Sequence, residues 1–336
     1  MKRIAIIGLG LIGKERVQAV EILNSRQKAV SIAAICDPGQ KDLEIVAGAL
    51  KASVCNGVED IIAHEPDLTV VAVPHDIAPE ITKKLLSAGL NVLLEKPMGR
   101  TLAEAKQIAK ACLKPQQLLI AHNYRFFPGV AALLKDIKAG HFGEPVGLSL
   151  IFGHGGSPAD KNSWKLNRER SGGGALIDPG IHLIDLCKLA GGELEFAGGQ
   201  TWHGFWKTGI EEECRMILRG KEIPMIDLTV SVIRWRSTFR LEFFGTDGYG
   251  IVEGRGRSYG PQQYRRGRRW GWQSGKSQAE SEEIVLTSSC DEVFADELES
   301  ILFQKEFDSI GHPCTASEAL ENMEILEAWQ QALKLK

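Results

Sequence analysis

The chain has 336 residues, of which 43% are hydrophobic and 25% charged, the balance of a globular protein rather than a disordered one. Its formal net charge of -3 at pH 7 excludes a surface built throughout for nucleic acid or acidic lipid. At roughly 150 residues per domain, the length predicts two domains.

The first expected strand, Ile4 to Ile7, runs into Gly8-Leu9-Gly10-Leu11-Ile12-Gly13 and then into a helical pattern from Glu15 to Asn24. Met1-Lys2-Arg3 before an apolar run imitates a signal peptide. The glycines interrupt that run, however, and Lys14, Glu15 and Arg16 follow it without a cleavage site. No apolar stretch approaches the ~20 residues of a membrane span, so the expected location is cytoplasmic. Further apolar runs lie at Ser31 to Cys36, Leu68 to Val73, Asn91 to Leu94 and Leu118 to Ala121, each short enough for a doubly buried parallel strand. Helical patterns between them include Pro79 to Ala88 and a helix opened by Thr101-Leu102-Ala103-Glu104, whose threonine and glutamate predict a capping box. The alternation predicts a doubly wound α/β sheet.

After Arg125-Phe126-Phe127-Pro128 the pattern changes. Longer runs at Val146 to Phe152, Glu212 to Leu218, Met225 to Trp235 and Phe239 to Phe244 predict a mainly antiparallel sheet, with Gly245-Thr246-Asp247-Gly248 as a hairpin turn. Helices are expected over about Asp291 to Ser309 and Ala316 to Lys334. The predicted division is an α/β domain over residues 1–121 and an α+β domain with a large open sheet over 122–336, whose final helices can pack back on the first domain.

A GxGxxG between strand and helix has the form of a Rossmann turn, in which glycines let backbone amides approach a pyrophosphate. Asp37, ending the second strand, can accept hydrogen bonds from the adenosine ribose and would repel a 2'-phosphate, which predicts NAD over NADP; it can equally start the turn at Pro38-Gly39. Glu95-Lys96-Pro97 ends a strand, where ligands bind such sheets, and Lys96 is either a substrate-facing cation or half of a surface salt bridge. In Ser171-Gly172-Gly173-Gly174-Ala175-Leu176-Ile177-Asp178-Pro179-Gly180-Ile181-His182, a helix starting at Pro179 sets Asp178 and His182 one turn apart, facing a loop that the glycines keep mobile. Asp-Pro is also an ordinary helix start, and His182 could be a core histidine.

In order and separation, the glycine loop, Glu95-Lys96-Pro97, Tyr124 to Pro128, Gly172 to Asp185 and Phe243 to Gly248 resemble the glucose-fructose oxidoreductase, inositol dehydrogenase and rhizopine-catabolism (Gfo/Idh/MocA) family over nearly the whole chain. The resemblance implies a NAD-binding Rossmann domain, then an open sheet that mediates homodimers or homotetramers. It also implies that Lys96, Asp178 and His182 converge at the nicotinamide, where hydride passes between cofactor and a sugar-like secondary alcohol. His182 is then the general base, Asp178 orients it or the substrate, and Lys96 stabilises the alkoxide-like oxygen, with no metal needed. The candidate cofactor contacts are Gly8, Gly10, Leu11, Ile12, Gly13, Asp37, Val73, Pro74, His75, Glu95 and Lys96; the candidate substrate contacts are Arg125, Trp164, Arg265 and Arg266. The chain departs from the family at Arg16 and Ala78, where histidines are frequent. A catalytically silent, NAD-sensing regulator on the same fold is the alternative reading.

Six arginines, Arg255, Arg257, Arg265, Arg266, Arg268 and Arg269, cluster with Tyr259, Tyr264, Trp270 and Trp272. They predict an anionic, ring-bearing substrate such as a uronate, sugar phosphate or nucleotide sugar, or else a solvated loop or subunit interface balanced by Glu280, Glu282 and Glu283. The seven cysteines lack zinc spacing and predict reduced thiols.

Overall fold

A computed structural model describes residues 1–157, 163–275, 277, 279–304 and 311–334. The early apolar runs form short strands, β1 Lys2–Ile7, β2 Val30–Cys36, β3 Ser53–Val54, β4 Leu68–Val71, β5 Val92–Glu95 and β6 Leu118–Ala121. They are linked by α1 Leu11–Ser25, α2 Leu43–Leu50, α3 Val58–Ala63, α4 Ala78–Ser87 and α5 Leu102–Lys110. The six strands pair in parallel in the order β6-β5-β4-β1-β2-β3. Ile4, Ile6, Val70 and Leu93 share one core with Val20 and Leu23 of α1, while Ala5, Ile7, Val71 and Leu94 join a second core with Leu85 and Ile108 on the other face. Burial on both faces is why the central stretches of these strands, such as Ile4 to Ile7, Val92 to Leu94 and Leu118 to Ala121, are apolar at every position.

Two local expectations are corrected here. β4 stops at Val71 rather than Val73, because Val73 precedes Pro74, whose ring disfavours continued regular structure and which has no N–H for a ladder. Thr101 caps α5 by accepting from the Glu104 amide, but the Glu104 carboxylate turns to the Arg100 amide at 2.8 Å, so half of the expected capping box forms.

Eight strands, β7 Pro145–Gly153, β8 Leu194–Trp202, β9 Glu213–Gly220, β10 Met225–Ser231, β11 Thr238–Gly245, β12 Gly248–Glu253, β13 Gln262–Arg268 and β14 Glu283–Ser288, build a second sheet in the order β14-β13-β12-β11-β7-β10-β9-β8. β7 and β10 pair in parallel and the other neighbours antiparallel. Helices α6 Pro128–Lys138 and α8 Gly180–Gly191 cover one face, and a short helix, α7 Arg168–Ser171, precedes α8. Cys214, Met216 and Leu218 point inward while Arg215, Ile217 and Arg219 point out, so the opposite face is open.

The chain then returns to the first sheet through α9 Val293–Phe303, β15 Cys314–Thr315 and α10 Ala316–Ala332; residues 305–309 of the expected helix lie outside the described residues. β15 pairs antiparallel with β6 as a seventh strand, α9 lies against α1, and α10 lies against α5 and α8. Thr315 and Glu318 form a complete capping box on α10. All seven cysteines are unpaired, and among the described residues no helix is long and apolar enough to cross a membrane.

Candidate active site

A cleft of about 1650 Å³ runs from the carboxyl ends of β1, β2, β4 and β5 to the covered side of the second sheet. Small-ligand sites are commonly ~300–1,000 Å³, so this one has room for a dinucleotide and a substrate together.

The cofactor end begins at Gly8, which takes φ +91° and whose Cβ would lie 2.3 Å from the Ala72 carbonyl oxygen; a Cβ on Gly13 would lie 2.0 Å from that of Gly8. These two glycines bring β1, β4 and α1 together. Gly10 instead faces open space, and no side chain caps α1, so its first amides are directed at whatever enters. Gly8, Gly10, Leu11, Ile12, Asp37, Val73, Pro74, His75, Glu95 and Lys96 line the cleft, whereas Gly13 stands behind it. Asp37 accepts from the Leu9 amide at 2.7 Å and the Gly39 amide at 2.9 Å, so it organises the loop and still faces the cleft. The residues present fit NAD.

Arg16 serves the joint between the first and last parts of the chain rather than the cleft. It is buried outside the cleft lining and donates to Glu95 at 2.7 and 2.9 Å and to Glu297 of α9 at 2.6 Å. Burial alone would lower its pKa, but the charges of Glu297 and Glu95 outweigh that and hold it protonated. Burial, and then Glu95 beside it, push Glu297 up to about 7. Two carboxylates thus share one guanidinium.

At the other end, Lys96 extends from β5 and contacts Asp178, whose second oxygen lies 3.0 Å from Lys165 Nζ. Burial opposes the ionised Asp178, but Lys165 and Lys96 outweigh it and hold the carboxyl well below its ordinary range. His182, on the first turn of α8, stacks on the Tyr124 ring at 3.9 Å with planes 1° apart. Burial foremost, then the Lys96 charge, push its pKa well down, so it is a neutral imidazole at pH 7. His122 meets His182 edge-on at 5.5 Å and is itself pushed down to about 4 by burial. His75, likewise about 4 through burial, meets the Ser171 carbonyl oxygen at 2.9 Å through Nδ1, a contact that a neutral ring makes as donor; Trp164 packs edge-on against it at 4.6 Å.

The glycines before Asp178 serve close packing instead of the expected mobility. A Cβ on Gly174 would lie 2.0 Å from the Glu211 carbonyl oxygen, and the buried Glu211 carboxylate accepts from the Gly174 amide at 2.8 Å. Asp178 and His182 are thereby set on a held loop and a helix start.

Three expected substrate contacts lie elsewhere. Arg125 is buried and locked to Asp185 at 2.6 and 2.7 Å, because an interior guanidinium needs a carboxylate. Arg265 and Arg266 lie on β13, where Glu253 and Glu282 hold the first and Asp136 and Glu283 the second. Trp164 does line the cleft. Lys165, Phe205, Trp206, Trp235 and Arg255 also line it; Lys165 adjoins Trp164, whereas nothing local in the sequence marks Phe205, Trp206 or Trp235. The one cluster with metal-ligand geometry among the described residues, His122, Asp185 and Cys314, already has the Arg125 cation on its carboxylate.

A family model for oxidoreductases with a NAD-binding Rossmann fold (GFO_IDH_MocA) matches residues 2–123, and the model for the C-terminal domain of the same family matches 130–250. The chain belongs to the Gfo/Idh/MocA family. Its Rossmann domain is therefore the NAD-binding domain of an oxidoreductase family. Rhizopine catabolism protein MocA of Rhizobium meliloti is 30% identical over 193 residues, covering 57% of each chain. D-glucoside 3-dehydrogenase of Escherichia coli (strain K12) is 28% identical over 218 residues, covering 63% of this chain and 60% of its own. The chain thus matches less than two thirds of either relative's length. In fold, it resembles the solved structure of levoglucosan dehydrogenase in complex with NADH, with a TM-score of 0.80, 19% identity, and 99% and 97% of the two chains covered.

Proposed function

We propose that this Gfo/Idh/MocA protein oxidises a secondary alcohol of a sugar or sugar derivative, or runs the reverse reduction, with NAD as the hydride partner. The observation that carries the reading is the juxtaposition of Lys96, Asp178 and His182 at one end of a cleft whose other end fits a dinucleotide. The glucoside and levoglucosan dehydrogenases support it, since their names give sugar substrates.

When bound, NAD supplies the two-electron step by taking a hydride from the carbinol carbon. The chain's own residues manage the remaining proton and charge. Neutral His182 accepts the hydroxyl proton as the C–O bond becomes a carbonyl, and in the reverse direction returns it. Lys96, tethered by Asp178, faces the negative charge that develops on the oxygen. The Asp178 charge favours the imidazolium that forms. Under the same reading, a homodimer or homotetramer forms through the open sheet face, where Ile217, Met225 and Ile284 stand exposed, and the unpaired cysteines suit a reducing compartment such as the cytoplasm.

The test is NADH formation by the purified protein with NAD and a panel of neutral sugars, inositols, uronates and sugar phosphates. Tight NADH binding with no turnover on any of them would favour a NAD-sensing regulator. Asp37 adds a cofactor prediction. Two unit charges about 4 Å apart at an effective dielectric near 20 interact by about 4 kcal/mol, and a third of that is tenfold in affinity. Fluorescence titration is therefore expected to show NADH binding at least tenfold tighter than NADPH, and equal affinities would remove Asp37 from the ribose site.

A further inference from the structure

Within the arginine-rich segment, Arg255 differs from its neighbours in what surrounds its charge. Arg257 pairs with Glu15, Arg265 with Glu253, and Arg266 with Asp136 and Glu283, while Arg268 and Arg269 stand exposed, where solvent meets their charge. The interior arginines Arg16 and Arg125 are also met by carboxylates. Among the described residues, Arg255 has no carboxylate within ion-pair distance. Its guanidinium lies 4.5 Å from the Tyr259 ring centroid, 5.2 Å from Phe152, 5.3 Å from Tyr124 and 5.9 Å from Phe127, and it donates to the Tyr124 hydroxyl at 2.6 Å. Its Nε is buried without a partner. Aromatic faces favour a cation modestly, but they leave its charge without a counter-ion.

The placement of this cation is fixed by the backbone. Gly254 and Gly256 flank it at φ +82° and +78°, and Cβ atoms there would lie 2.1 Å from the Pro261 carbonyl oxygen and 2.2 Å from that of Ser289. Both positions require glycine, so the turn that aims Arg255 into the cleft is built into the chain. Tyr124 links it to the reacting end, since the same ring lies 3.9 Å from the His182 ring. The guanidinium is therefore no further from the imidazole than 3.9 and 5.3 Å laid end to end, a span that one sugar ring covers. Lys96 and Lys165 both contact the Asp178 carboxylate, so that carboxylate is not the counter-ion of Arg255.

We propose that Arg255 reads a carboxylate carried on the same sugar ring as the reacting alcohol, so that the substrate is a sugar acid. This deepens the function proposed above and rests on it. A carboxylate matches the planar guanidinium fork with two parallel hydrogen bonds, whereas the phosphates of a nucleotide sugar lie beyond the ring. The Nε without a partner is one of the donors such a fork uses.

The test has a binding arm and a turnover arm. On the NADH-loaded protein, thermal shift titration is expected to show glucuronate or galacturonate binding about 100-fold more tightly than the matching neutral hexose, the effect of one or two charge-assisted hydrogen bonds. With NAD, Arg255→Gln is expected to raise KM for the uronate about 100-fold with kcat within a few-fold, and Arg255→Lys to recover part of the loss. NADH fluorescence titration establishes that each variant is folded and loaded. Preference for a neutral sugar, a sugar phosphate or a nucleotide sugar over the uronates would overturn the proposal, as would a uronate preference that survives Arg255→Gln. Turnover of neutral sugars with no uronate preference leaves the dehydrogenase reading standing and removes only the sugar acid. A preference in binding without any NADH formation overturns the dehydrogenase reading and keeps the anion site.

Discussion

His182→Ala is expected to lower turnover by roughly 100- to 10,000-fold, the usual contribution of a positioned general base, while NADH binds as tightly as before. The ring stacks on Tyr124 of the second sheet's domain and belongs to neither the glycine loop nor the second strand of the first sheet, so its loss is expected to remove proton transfer and spare the cofactor. Lys96→Ala should fall by a comparable factor, because the oxygen then develops charge without a facing cation. The pH profile carries separate information. Burial and Lys96 hold the His182 pKa well below 6.5, so the base stays unprotonated as pH falls through that value. The rate of oxidation is therefore expected to show no inflection near 6.5, losing its base only at lower pH. Steady-state kinetics with NADH titration as control checks both, and near-normal turnover of His182→Ala would move the base elsewhere.

Arg16→Met is expected to cost about 3 to 5 kcal/mol of stability, the typical result of removing one partner from a buried ion pair. Two carboxylates are left behind, Glu297 fully buried and Glu95 partly so. Urea unfolding reads the loss, and Arg16→Met combined with Glu297→Gln should regain part of it. The triad also imposes a pH dependence. Glu297 binds its proton with a folded pKa of about 7 against an ordinary value of 4.5. The native state therefore holds a proton that the unfolded state releases, and this group's contribution is full below about 4.5 and is lost as pH rises through about 7. Glu297→Gln should flatten stability across that window. An unchanged slope would mean that Glu297 is ionised throughout.

The strands of the first sheet were legible because burial on both faces makes Ile4 to Ile7 or Leu118 to Ala121 apolar throughout, a signal that survives in a window of four residues. β8 and β13 lacked such a signal. In β8, Gly198 and Gly199 interrupt a strand with no buried residue, and β13 is masked by arginines, of which Arg265 and Arg266 have their charges met across the sheet. The motif residues Lys96, Asp178 and His182 could be singled out because each sits beside a local marker, a proline or a glycine run. Their surroundings could not. Tyr124 and His122 meet His182 through contacts between segments some sixty residues apart, and the six arginines separate into ion-paired Arg257, Arg265 and Arg266, exposed Arg268 and Arg269, and Arg255 only once the fold assigns each its surroundings.

The return of the chain to its first sheet bears on how the protein is made. Arg16 waits for Glu297, which lies 281 residues later, and the edge of β6 waits for β15. At about 5 to 20 residues per second, synthesis leaves the interior guanidinium short of one partner for roughly a quarter of a minute to a minute, and the β6 edge uncovered for a somewhat shorter time. The nucleotide-binding half therefore completes itself last, although it is synthesised first.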